Sequence, residues 1–223
     1  MSGEVGKISK EQLRDDEFVD WVMVVVDYVR ARYKIFVAGL VALVVVAVGV
    51  QYVLKTQERA RTQAAARLGE ALILEAEGQS DEAQRVIDDV LQRFSGTPAA
   101  GQATLMVANR RFDAGQLDEA RTLYGRYLAD YGDANPALSF AAKSGLAATL
   151  AAEGQFEPAA AAYRDLATEY HGSFQAALAL WEAAACYERL GADQKRREVL
   201  DQIVREHDEL PLVNKARAAL AAM

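Results

Sequence analysis

Few side chains in this sequence are placed for covalent chemistry. The two histidines, His171 and His207, stand in turn-like stretches, YHGSF and HDELP, with no cysteine or acidic pair at ligand spacing. Acyl transfer, zinc hydrolysis and phosphate cradling have recognisable spacings, G-x-S-x-G, H-E-x-x-H and G-x-x-x-x-G-K-[ST]. None of these occurs in the chain. Acidic pairs such as Asp88-Asp89 are adjacent on a helix and point different ways, as solvated residues do. The single cysteine, Cys186, allows neither an intramolecular disulfide nor a cysteine-rich metal site. These residues read as a non-enzyme, with no metal, no cofactor and no small-molecule substrate. What they can do is bind, so the question passes to the elements that present them.

Charge narrows the partner. The chain of 223 residues carries a net −7. From residue 64 onward there are 16 Lys and Arg against 24 Asp and Glu, a net −8. Such a surface repels phosphate backbones, so nucleic acid is not an expected partner.

Hydropathy is uneven. The run IFVAGLVALVVVAVGVQYVL, Ile35 to Leu54, has no charge, and thirteen of its twenty residues are Val, Leu, Ile or Phe. At about 1.5 Å per residue, twenty residues span roughly 30 Å, the thickness of a hydrocarbon core. No polar face marks it as a buried core helix. It is also longer than the roughly 7–15 apolar residues of a cleaved signal peptide and starts too far from the N-terminus. We expect a transmembrane helix over 34–55, acting as an uncleaved anchor. Arg30, Arg32 and Lys34 flank one side, and Lys55, Arg59 and Arg61 the other, so basic residues do not decide the orientation. The short N-terminal tail is the easier end to keep inside, which leaves the C-terminal part outside.

Before the span, residues 15–33 form an expected amphipathic helix. Asp16, Asp20, Asp27 and Arg30 share one stripe, and Phe18, Trp21, Val22, Val25, Val26 and Val29 cover the rest. Such a helix lies in the headgroup layer, where Trp21 and Tyr28 are at home, or docks on a membrane partner. Residues 1–14 read as a flexible polar tail, and 56–63 as a helical linker.

The rest of the chain keeps time. GQSDEA, GQLDEA and GQFEPA open at Gly78, Gly115 and Gly154, and the same step reaches Gly191; the spacings are 37, 39 and 37. Seven residues before each glycine stands Ala71, Ala108, Ala147 or Ala184. Five after stand Ala83, Ala120 and Ala159, with Arg196 breaking the rule. Nine after come Ile87, Tyr124, Tyr163 and Leu200, and sixteen after come Phe94, Tyr131, Tyr170 and His207. A fixed period of this length signals stacked helical hairpins. The glycine ends the first helix in a left-handed residue. Acidic residues open the second helix, where its dipole favours them. Small alanines let the two helices approach, and the large residues at +9 and +16 fill the gap to the next hairpin. The fold class is therefore all-α, an α-solenoid of about four hairpins, 64–98, 101–136, 140–173 and 177–211, with a closing helix at 212–223.

This framework of small residue, glycine, alanine and ring resembles the tetratricopeptide repeat. It departs in being three to five residues longer than the usual 34, in lacking the early tryptophan and in the lost alanine at Arg196. The resemblance implies a partner-binding groove lined by the first helix of each hairpin. Carried onto this sequence, its positions are Leu68 and Leu72; Leu105, Met106, Asn109 and Phe112; Ser144 and Ala148; and Trp181, Glu182 and Glu188. The lining is apolar and aromatic with an acidic rim, suited to an apolar or basic extended segment; the alternative is that Leu105, Phe112 and Trp181 are interhelical core. The layout of short tail, single span and long repeats is similar to the bacterial inner-membrane proteins described as ancillary subunits of the Sec translocon. It implies an N-terminus in the cytoplasm and a periplasmic repeat domain, with the translocon, unfolded clients and chaperones as partners. A structural subunit of another membrane complex and a division or envelope scaffold are the alternatives.

Overall fold

The computed structural model describes residues 10–132 and 134–223. Among the described residues there are helices, turns and no strands. The chain divides into two compact units, Met1–Glu58 and Arg59–Met223.

In the first unit, α1 runs Lys10–Ala31, and α2, Tyr33–Ala76, begins one residue later. Residues 10–14, expected in a flexible tail, are helical, because KEQLRDDEF offers neither glycine nor proline to stop a helix; residues 1–9 of that tail lie outside the described residues. Arg32 is the turn: its N–H donates to the Tyr28 and Val29 carbonyls, and its own carbonyl accepts from Ile35 N at 2.8 Å. From Ile35 to Leu54 the apolar side chains described are exposed on every side, Leu43 at 66% and Val45 at 64%. The helix is long and apolar enough to cross a membrane. The residues expected at a membrane interface, Phe18, Trp21, Val22, Val25, Tyr28 and Val29, are exposed too. Phe18 stacks on Trp21, and the Arg32 guanidinium lies over the Tyr28 ring.

In the second unit, the end of α2 begins a series of antiparallel pairs: α3 (Ser80–Arg93), α4 (Pro98–Asp113), α5 (Leu117–Tyr131), α6 (Pro136–Ala152), α7 (Phe156–Glu169), α8 (Phe174–Leu190), α9 (Asp193–Glu206) and α10 (Leu212–Ala221). The four repeat glycines have φ between +64° and +79°. Each terminates its helix in the same way. The residue after the glycine donates five residues back, Gln79 to Leu74, Gln116 to Arg111, Gln155 to Leu150 and Ala192 to Tyr187, while the glycine N–H donates three back. This pair of hydrogen bonds satisfies carbonyls that the helix end leaves open, and it requires a left-handed residue at the glycine. The repeated hexapeptide is thus a helix stop followed by a helix start. Asp81, Asp118 and Glu157 sit in the first turns of α3, α5 and α7. The opposite junctions use side-chain caps. Thr97, Asn135 and Ser173 accept from N–H groups at the starts of α4, α6 and α8, and Pro98 and Pro136 occupy the first turns.

The framework alanines behave as spacers. Ala71, Ala83, Ala108, Ala120 and Ala159 are fully buried, and Ala147 and Ala184 nearly so. At Arg196 the lost alanine has a reason: the side chain crosses to Glu188 at 2.8 Å, tying α9 to the end of α8. The residues at +9, Ile87, Tyr124, Tyr163 and Leu200, are buried. Tyr124 reaches the next hairpin: a methyl on Gly145 of α6 would collide with its ring. The rings at +16 pack in the cores shared with the following helix pair, Phe94 with α4, Tyr131 with α6 and Tyr170 with α8, and two of them also reach back along the chain. The Tyr131 hydroxyl accepts from Gly96 N at 3.1 Å, and the Tyr170 hydroxyl donates to the Pro136 carbonyl at 2.9 Å. Each ties the end of a second helix, α5 or α7, to the start of the first helix it pairs with, α4 or α6. His207, the counterpart in the last repeat, is buried, and its Nε2 has no hydrogen-bond partner among the described residues. α10 covers the last hairpin through Val213 and Ala216.

Candidate functional site

The first helices of the last three hairpins, α4, α6 and α8, present side chains to a common cleft of about 320 Å³, within the size range of ligand pockets. α4 contributes Phe112; α6 contributes Ala148, Ala151 and Ala152; α8 contributes Glu182, Ala185, Cys186 and Arg189. The small residues of α6 form a floor on which nothing projects, so the cleft is open between two walls. Phe156 and Tyr163 of α7 complete it from behind. The Tyr163 hydroxyl donates to the Ser144 carbonyl at 3.5 Å, and Arg189 lies 5.1 Å from the centre of the Phe156 ring.

Glu182 is the polar feature of this cleft that stands without a protein partner: no hydrogen bond or ion pair reaches its carboxylate among the described residues. Burial raises its carboxyl above the usual range. Its charge acts on its neighbours. Burial, and then Glu182, raise the Cys186 thiol; burial, then Glu182 and Cys186, raise the Tyr163 phenol. The thiol is therefore held protonated and unreactive, and the phenol stays a hydrogen-bond donor.

The groove residues carried over from the repeat pattern divide into three groups. Phe112, Ala148 and Glu182 come together in the cleft. Leu68 and Leu105 do not belong to it: at 4% and 6% exposure they are interhelical core, because the neighbouring helix pair covers them. Met106 packs against the core of the first two hairpins, and Leu72 is 48% exposed on α2. Asn109 accepts from the Tyr124 hydroxyl at 2.6 Å, so its carbonyl is committed to holding α4 against α5. Ser144 supplies a backbone acceptor and no cleft side chain. Trp181 and Glu188, one step round α8 from Glu182, face the other way. They line a small crevice with Arg196 and Ala219, next to α10, and Glu188 is neutralised by Arg196. The acidic rim expected from Glu182 and Glu188 together is one free carboxylate.

Sequence reasoning missed Ala151 and Ala152 beside Ala148, and Phe156, Tyr163, Ala185, Cys186 and Arg189. Those on α8 carried a signal: Ala185, Cys186 and Arg189 stand three, four and seven residues after Glu182, one helix face. Phe156 and Tyr163 had none, as they come from a second helix that the repeat pattern places behind the groove.

The profile of a tetratricopeptide repeat-like domain matches residues 28–182. The chain belongs to that family. Crystal structures of nearly identical TPR-like repeats from a Podosopora anserina protein described as a kinesin light chain are similar to it. One is 21% identical over 63% of this chain and 72% of that chain, with a TM-score of 0.49. A second form of that protein, with one glutamine replaced by methionine, is 20% identical over 72% of this chain and 77% of that one, with a TM-score of 0.51. The second likeness shows the fold. No curated protein matches the chain at a significant level. Repeats of this family are typical of non-enzymatic scaffolds that bind proteins.

Proposed function

We propose that this protein is a membrane-anchored protein-interaction module. The first half of α2 crosses the bilayer, and the repeat domain holds an extended segment of another protein in the cleft of α4, α6 and α8. The observation that carries the anchor is the stretch from Ile35 to Leu54, apolar and exposed all round, which water would not tolerate as a free surface of this size. The similarity to the ancillary subunits of the Sec translocon supplies the setting: a bacterial inner membrane, the N-terminus in the cytoplasm and the repeats in the periplasm. There the domain takes emerging polypeptides and passes them to periplasmic chaperones. The exposed apolar side chains of α1 support a second reading, a structural accessory subunit clamped to another membrane complex through α1 and α2.

In-cell crosslinking of the full chain with a C-terminal tag, followed by mild extraction and mass spectrometry, separates the two. Translocon subunits together with periplasmic chaperones are the expected partners. One unrelated membrane complex at fixed stoichiometry would replace the translocon reading with the structural one.

A further inference from the structure

The cleft holds a carboxylate, Glu182, that no hydrogen bond or ion pair reaches among the described residues. A carboxylate half withdrawn from water is unfavourable unless a cation or hydrogen-bond donors meet it. Around Glu182 neither is present. Across α6 the floor is alanine, and from α4 the nearest wall is Phe112. From α7 come the Phe156 ring and Tyr163, whose hydroxyl is given to Ser144. On α8 itself stand Cys186, one turn away, and Arg189. Arg189 is two turns along the helix, about 10 Å in rise, and its guanidinium is held over Phe156. Glu153 near these helix ends pairs with Arg121, Glu157 with Lys195 and Glu188 with Arg196. Glu182 has no such pair among the described residues and, unlike the exposed Asp113 at the end of α4, it lies on the wall of an open apolar cleft.

We propose that the cleft selects an extended apolar segment carrying one lysine or arginine, whose cation pairs with Glu182 while its aliphatic stem lies along Ala148, Ala151 and Ala185. This rests on the reading of the cleft as the partner-binding face and names the chemistry of the partner. Lysine and arginine suit it because a long apolar stem ends in a charge, so one side chain matches both the floor and the carboxylate. The neighbouring Phe112 ring favours a cation near its face. An acidic segment is rejected by the same carboxylate, which gives the cleft selectivity as well as affinity. Protonation of Glu182 removes the preference, so it fades as pH falls, and it does so at a higher pH than for an ordinary carboxylate.

The test uses the full chain in lipid nanodiscs and three fluorescent decapeptides of alanine and leucine, with lysine, glutamine or glutamate at the centre. For the native protein, anisotropy titration is expected to give a Kd about tenfold lower for the lysine peptide than for the glutamine peptide, and weakest binding for the glutamate peptide. Glu182→Gln is expected to remove the difference between the lysine and glutamine peptides. Glu182→Lys is expected to reverse the order of lysine and glutamate. Equal lysine preference in the native protein and Glu182→Gln overturns the assignment of Glu182, with the cleft left standing. Failure of all three peptides to bind, or binding that Phe112→Ala does not weaken, overturns the cleft itself. Unchanged far-ultraviolet circular dichroism of each variant shows that the repeats remain folded.

Discussion

One helix, α2, contains two kinds of apolar surface. Its first half, to Leu54, exposes valine and leucine in every direction; its last turns bury Ala64, Leu68 and Ala71 and leave Arg67 and Glu70 outside, paired to one another at 2.9 Å. The difference lies in the period of the apolar positions. A stripe at i, i+4, i+7 can be covered by a neighbouring pair of helices, so the second half finds Ile87 and Val90 of α3 and Ala99 and Ala103 of α4. A helix apolar all round cannot be covered by one neighbour and needs an apolar solvent. The same backbone geometry thus serves a bilayer or a solenoid, and the side-chain pattern decides which.

The sharpest way to break this contrast is in the covered half. Ile87 is fully buried against α2. Ile87→Ala removes that packing and is expected to destabilise the repeat domain by about 2–5 kcal/mol, measured as a shift of the thermal or urea midpoint, with membrane association intact. The complementary change is Val45→Arg. It places a charge in the middle of the uncovered half, at about 2.5–3.5 kcal/mol against insertion. Carbonate extraction of cell membranes should then release more of the variant than of the native chain, while thermal unfolding of the repeats stays unchanged. If both substitutions lower repeat stability alike, the two halves of α2 are not independent. Gly78 tests the end of the same helix. Its φ of +79° is strained for a residue with a Cβ, although no atom blocks the space. Gly78→Ala is expected to cost about 1 kcal/mol, visible in urea denaturation, and Gly78→Asn is expected to cost less.

The smallest effect concerns Glu182. Its raised carboxyl means that the folded chain holds its proton at pH values where the unfolded chain has lost it. The stabilisation is therefore complete below the unfolded value and is lost as pH rises through the folded one. Glu182→Gln is expected to raise the melting temperature at neutral pH, with the gain shrinking toward acid. A gain of equal size at all pH values would mean that packing, not charge, limits that position.

The groove shows how far local information reaches. A helix stop at Gly115 or Gly154, an acidic first turn and an alanine spacer depend on a few consecutive residues, so a repeating hexapeptide displays them directly. The side of α8 that faces the cleft depends on a rotation of about 100° per residue and on what the next hairpin and α10 occupy. Glu182 and Trp181 are adjacent in sequence and part company for that reason alone. Glu188 has the same charge and the same helix as Glu182, but it shares Trp181's side of α8, lines the crevice beside α10 and pairs with Arg196 of α9.

The sequence by itself determined the period of the hairpins, the residues that start and stop their helices, and the apolar length of the first half of α2, because each follows from short-range backbone sterics or from composition. Only the tertiary structure decided that Leu68 and Leu105 are core and that Phe156 and Tyr163 join the cleft from a second helix. It also left Glu182 in the cleft without an ion pair among the described residues. Those outcomes depend on contacts between residues far apart in the chain, where a rotation by one position exchanges a buried side chain for a binding one.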